Sequence, residues 1–287
     1  MTRDAERAAA GLGTVAIVGA GQVGTALGMA LREAGTTEIG LLDRDERVAL
    51  ESLARGAGHR VHAGVADALA ADVVVLALPI PEILRFLAEH GGRAHDGSLV
   101  IDTGTTKGGV VEAMRAHLPP GVGAVGGHPL AGTETAGPGG ADPALLRGAP
   151  FILCVAREVA GATERGRALA TAIGSRPIEM DPEVHDHLAV RTIHLPHLVA
   201  CALALTAGRV EADARDLVGG GFGSATRLAA SDPAMVAGFL RSAPREVVQA
   251  AEELAEALRD LVGQLDEPGA LEASFARAGE LREALIR

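Results

Sequence analysis

TVAIVGAGQVGTALGMALREAG, residues 14–35, decides the fold. Its first five residues are an apolar run leading into glycine, as expected of a strand buried on both faces of a parallel sheet. After Gly21 the period changes, with Val23, Leu27, Ala30, Leu31 and Ala34 at helical spacing. Between the two lies GAGQVG (19–24), a G-x-G-x-x-G run in its informative context, strand before and helix after. Gly19 permits the tight turn, Gly21 lets a pyrophosphate approach the backbone, and Gly24 lets helix and strand pack closely. Gln22 and Val23 complete the loop, and the helix N-terminus offers N–H groups to an anion. A second strand, EIGLLDRD (38–45), ends at Asp43, where the dinucleotide fingerprint needs a carboxylate for ribose hydroxyls. Asp43 repels the extra phosphate of NADP, so NAD is expected; the adjacent Arg44 softens that preference.

Outward from this unit, VVVLALP (73–79), SLVIDTG (98–104), VGAVGG (122–127) and FILCV (151–155) read as further strands. Helical patterns at 81–89, 106–117 and 160–173 fit between them. The alternation predicts an α/β fold of the Rossmann type, a doubly wound, mostly parallel sheet with helices on both faces. After IEM (178–180) the pattern becomes helical throughout. Asp181-Pro182-Glu183 is a helix start, with Asp as cap, Pro in the first position and an acid in the first turn. We therefore expect a dinucleotide-binding domain over 1–180 and an all-helical substrate and dimerisation domain over 181–287. The amphipathic surface of 244–263 and 269–286 exceeds what one short bundle buries, so a homodimer is expected.

Composition narrows the partners. With 48% hydrophobic and 22% charged residues in 287, the chain can bury a large core. A net charge of −11 argues against nucleic acid and anionic membrane. VVVLALPI (73–80) is too short to span a bilayer, and Leu195–Leu205 is interrupted by Pro196 and His197. The N-terminus lacks the apolar stretch of a signal peptide, so a cytoplasmic protein is expected. Cys154 and Cys201 sit in apolar stretches and read as buried free thiols. Of the 26 basic residues only Lys107 is lysine, which hints at a site needing a compact ammonium.

The chemistry gathers at the strand ends. In GGHPLAGTETAG (126–137), His128 precedes Pro129 between glycines, which predicts a rigid loop and disfavours a helix or a central strand. DTGTTKGG (102–109) places Thr105 and Lys107 after another strand. In an open α/β sheet both should reach the crevice served by the glycine loop. In HDHLAVRTIHLPHLVA (185–200), His187 and His194 share a helical face, His197 is slightly offset, and Pro196 predicts a kink. Helical H-E-x-x-H is absent and the cysteines lack ligand spacing to these histidines, so no metal is expected. GGGFGSATRLAASDP (219–233) combines a glycine-rich turn with Arg227, whose planar fork suits a carboxylate.

Together GAGQVGTALGMAL, DTGTTKGGV, GGHPLAGTETAGP, MDPEVHDHLAVRTIHLPHLVACAL and GGGFGSATRLAASDP resemble the prephenate/arogenate dehydrogenases of tyrosine biosynthesis, in order from about 14 to about 241. The resemblance implies NAD-dependent oxidative decarboxylation of a small cyclohexadiene dicarboxylate, prephenate first. Arogenate and 4-amino-4-deoxyprephenate are the alternatives. It implies His128 as the base, Thr105 as orienting either the substrate hydroxyl or His128 by hydrogen bonding, and Arg227 on a substrate carboxylate. His194 and His197 line the substrate pocket, with Glu134 at its entrance or in its charge balance; Lys107 is grouped with the substrate side. Thr105 stands where many relatives have Ser, Gly223 and Ser224 where many have charged residues, and Val236 where Trp is common. Two other classes compete. A β-hydroxyacid or imine-type dehydrogenase would use a lysine from the helical domain, and the sole lysine is on the other side of 180. A non-catalytic NAD sensor would not need His128 or Arg227.

Overall fold

Eight strands form one sheet among the residues that the computed structural model describes, namely 3–132, 135–209 and 217–286. They are β1 (Thr14–Val18), β2 (Glu38–Leu42), β3 (Arg60–Val61), β4 (Val73–Leu76), β5 (Leu99–Asp102), β6 (Gly123–Pro129), β7 (Pro150–Arg157) and β8 (Arg176–Glu179). Their spatial order is β3-β2-β1-β4-β5-β6-β7-β8. Neighbours are parallel except β6 and β7, which are antiparallel. Seven helices accompany the strands: α1 (Arg3–Ala10), α2 (Gln22–Glu33), α3 (Glu46–Ala54), α4 (Val65–Ala68), α5 (Ile80–His90), α6 (Gly108–His117) and α7 (Ala162–Ala172). Strand β1 shows why both faces are covered. Val15 and Ile17 enter one core with Leu27 and Leu31 of α2, while Ala16 and Val18 enter another with Ile83 and Leu87 of α5. The chain runs from β1 to β2 and β3 on one side, then crosses to β4 on the other. That reversal opens a crevice at the carboxyl ends of β1 and β4.

From Pro182 on, every described element is helical: α8 (Pro182–Ala189), α9 (Leu195–Ala207), α10 (Gly220–Thr226), α11 (Pro233–Ser242), α12 (Pro244–Gly263) and α13 (Ala270–Ile286). Asp181 caps α8 as expected, its carboxylate accepting from the N–H groups of Glu183 and Val184. The chain divides into two compact units, residues 1–243 and 244–287. The second is the α12–α13 pair, in which Leu254, Leu258 and Val262 recur every fourth residue and are exposed.

Four expectations need correction. His128 and Pro129 are in strand β6, not in a loop. Pairing with β5 ends at Val125, so Gly126–Pro129 is laddered only to β7, and a proline is tolerated on such a one-sided stretch. His187 and His194 do not share a face: His187 is exposed and His194 fully buried. Val190–His194 is a π-turn between α8 and α9, and its wider winding shifts the helical phase. It lies just before Pro196, which cannot return a hydrogen bond to Thr192. Cys154 is buried, but Cys201 is exposed on α9. Finally, the continuous helix Pro182–Ala207 is long and apolar enough by length and composition to cross a bilayer. A search for unbroken apolar runs misses it because histidine and proline interrupt the pattern without ending the helix.

Candidate active site

The glycine loop has the form required to carry a pyrophosphate. At Gly19 φ is +99°, and a Cβ there would lie 2.2 Å from the carbonyl oxygen of Ala77. At Gly24 a Cβ would lie 1.9 Å from the Gly19 carbonyl oxygen, so only glycine lets α2 start this close to β1. Gly21 differs, because a Cβ there would meet nothing within 4 Å. Crowding within the chain does not account for that glycine; open space for a ligand does. Asp43 follows β2, and its carboxylate accepts from Ala20 N–H at 2.9 Å and Asp45 N–H at 3.0 Å. It is thereby fixed against the loop, while Arg44 is exposed. The residues present fit a dinucleotide.

Gly21, Gln22, Val23 and Thr105 line a cavity of about 310 Å³, with Asp232 and Phe239 on the helical side. Thr105 thus meets the loop as expected. Two imidazoles pack on Phe239 without being among the described residues that line the cavity. His194 stacks on its ring at 4.8 Å between centroids, and His197 meets it edge-on at 5.1 Å. His197 Nδ1–H donates to the Ile193 carbonyl at 2.8 Å. Both ring nitrogens of His194 are buried without a hydrogen-bond partner, and burial pushes its pKa down to about 4.

Lys107 is fully buried, and its role is structural. Its ammonium donates to the Asp102 carboxylate and, at 2.6 Å, to the Gly127 carbonyl. Asp102, at the end of β5, also accepts from Gly104 N–H at 2.7 Å and Gly127 N–H at 3.0 Å. The ion pair therefore replaces the missing β5–β6 ladder directly before His128. Burial pushes the Asp102 carboxyl above its ordinary value, against the pull of Lys107. The expectation that Lys107 belongs to the substrate side is not met in this chain; its ammonium is spent on β5 and β6.

His128 is buried, and its Nδ1 lies 2.9 Å from His185 Nε2. His185 Nδ1 lies 2.8 Å from Asp186 Oδ1. Asp186 further accepts from the backbone N–H groups of Lys107 at 2.6 Å and Gly108 at 2.8 Å, capping α6 from α8. Burial works to raise the Asp186 carboxyl, but the bonds from His185, Gly108 and Lys107 outweigh it and hold the group below its ordinary value. Burial first, then the charge of Lys107, holds His128 well below 6.5. His185 and Asp186 were missed in the sequence as functional candidates. The available signal was spacing, since His185 lies one turn before the buried Ala189.

His128, like His194 and His197, is not among the described residues that line the cavity, and two further expected residues are elsewhere. Arg227 is exposed at the start of the 3₁₀ turn Arg227–Ala230, which packs on α9, and does not line the cavity. Glu134 lies outside the described residues. Among the described residues no cluster of His, Cys, Asp or Glu has the geometry of a metal site.

Residues 27–164 match the prephenate dehydrogenase nucleotide-binding domain family, and 181–273 match the prephenate dehydrogenase dimerization domain family. The first match begins beyond the glycine loop, which therefore stands on its own geometry. The chain is 31% identical to the Bacillus subtilis prephenate dehydrogenase over 77% of its own length and 62% of that protein's. It is also 31% identical to the cyclohexadienyl dehydrogenase of Zymomonas mobilis, over 76% and 77% of the two chains. The crystal structure of A. aeolicus prephenate dehydrogenase in complex with hydroxyphenyl propionate and NAD+ superimposes with a TM-score of 0.85. That superposition is at 26% identity and covers 96% of this chain and 98% of the other. On these grounds the chain belongs to the prephenate dehydrogenase family.

Proposed function

We propose that the chain oxidatively decarboxylates prephenate to 4-hydroxyphenylpyruvate with NAD, residues 1–180 holding the cofactor and 181–287 the substrate and the dimer contact. The observation that carries this reading is His128: its Nδ1 is engaged by His185, so Nε2 is the ring nitrogen left for a substrate proton. Gly19, Gly21, Gln22, Val23 and Gly24 would hold the pyrophosphate and Asp43 the ribose, with Arg44 at its edge. NAD bound there would supply the acceptor for the hydride of ring carbon 4. His128 Nε2 accepts the C4 hydroxyl proton as that carbon becomes a carbonyl. The ring carboxylate leaves as carbon dioxide, and its bonding pair enters the ring. The carbonyl oxygen regains the proton from His128 and becomes a phenol. Thr105 orients the C4 hydroxyl, and His194, His197 and Glu134 serve substrate binding; the carboxylate role expected of Arg227 is not supported by its place outside the cavity.

The A. aeolicus structure with NAD+ and a phenolic acid supports the ligand classes, and the Z. mobilis relative, a cyclohexadienyl dehydrogenase, supports a cyclohexadiene ring. The test is NADH formation with prephenate, arogenate and 4-amino-4-deoxyprephenate, each with NAD and NADP. Prephenate with NAD should give the highest kcat/KM. Preferred turnover of NADP would overturn the reading of Asp43, and no turnover of any of the three would overturn the activity.

A further inference from the structure

We infer that His185 and Asp186 are positioning residues that lock His128 in one tautomer, with the proton on Nδ1 and a bare lone pair on Nε2. This rests on the proposed role of His128 as base and adds what makes that role possible. The direction of each hydrogen bond follows from the chemistry of the far end. Asp186 takes N–H bonds from Lys107 and Gly108, so its carboxylate is an acceptor on both oxygens. The ring nitrogen beside it, His185 Nδ1, must carry the proton. In the neutral ring His185 Nε2 is then a lone pair, and a lone pair 2.9 Å from His128 Nδ1 requires the proton to be on His128. The last ring nitrogen, His128 Nε2, is left unprotonated without reference to any ligand.

The same row of bonds stabilises the imidazolium that forms when Nε2 takes a proton, because Nδ1–H then donates more strongly toward His185 and Asp186. No proton moves along the row: His128 gains one at Nε2 and returns it there, and Asp186 stays ionised throughout. The groups whose charge acts on His128 are Lys107 from the β5–α6 connection, itself paired with Asp102, His185 from α8, and His194 from the π-turn. Lys107 disfavours a second cation beside it; Asp186 reaches His128 only through its bond to His185. Were His185 instead the donor at Nε2, His128 would hold its proton on Nε2 and could not act as base.

The test has one arm that needs no turnover. Nitrogen-15 NMR of histidine-labelled wild-type protein near neutral pH, with the His128 signals assigned from a His128→Asn spectrum, should show Nδ1 protonated and Nε2 bare. In Asp186→Asn the single tautomer should give way to a mixture. The kinetic arm compares His185→Leu with His185→Gln, whose side-chain oxygen can still accept from Nδ1. The Leu variant should lose on the order of 10–10³-fold in kcat, with KM within about two-fold, and the Gln variant should recover most of it. In a His128→Asn background His185→Leu should cost nothing more. A wild-type His128 protonated at Nε2, equal losses for Leu and Gln, or an undiminished loss on top of His128→Asn each overturns the inference. Absence of activity in the wild type would instead strike the proposed function and leave the NMR arm to decide the tautomer.

Discussion

At the scale of single residues, the proposed function rests on His128. An acceptor held in place by β6 and by His185 loses little freedom when the substrate arrives. His128→Asn should lower kcat by about 10²–10⁴-fold with NAD binding retained, measured by steady-state kinetics and cofactor titration. The pH profile follows from its surroundings. Burial and the Lys107 charge hold the imidazole well below 6.5, so the base form persists as the solution is acidified. As pH falls, kcat/KM should stay level through 6.5 and decline only below it; an acidic limb at 6.5 or higher would contradict this environment. Position 128 was legible from sequence because a histidine fixed by Pro129 between glycines has few purposes. Its partner at 185 was not, because adjacent helical residues point in different directions and the sequence does not say which faces the sheet.

At the scale of elements, the junction of β5, β6, α6 and α8 holds the site together. The buried Lys107–Asp102 pair links two strand ends that no longer share a ladder. Removing one partner leaves an uncompensated buried charge. Lys107→Met should therefore destabilise the fold by about 3–5 kcal/mol in urea denaturation. Lys107→Met with Asp102→Asn should cost less than the sum of the two single changes. The central parallel strands β1, β2, β4, β5 and β6 could be read from apolar runs, since burial on both faces leaves a plain signature; the outer strands β3 and β8 are not buried and carry no such run. The antiparallel β7 could not, because strand direction depends on a connection rather than on composition. The π-turn was also hidden. Pro196 announced a disturbance, but whether a helix kinks or widens is settled by packing, and the outcome put His187 and His194 on different faces.

At the scale of the whole molecule, the helices from 182 on leave much apolar surface uncovered. Val199, Leu203 and Leu205 are exposed on α9, and within the α12–α13 unit Leu258, Val262 and Phe275 are exposed as well. Surface of this kind on a chain whose residues 181–273 match a dimerization domain family points to a second copy as its cover. Sedimentation at micromolar concentration should show a dimer, and Leu205→Glu or Leu258→Glu should shift it toward monomer. Cys201 is exposed on α9, so an apolar stretch read as core in the sequence is not buried in the single chain. The burial of Lys107 has a practical corollary. Because it is the sole lysine and has no solvent contact, amine-directed dyes and acylating reagents find no side-chain target on the native protein. Labelling at that position thus counts only molecules whose sheet has opened.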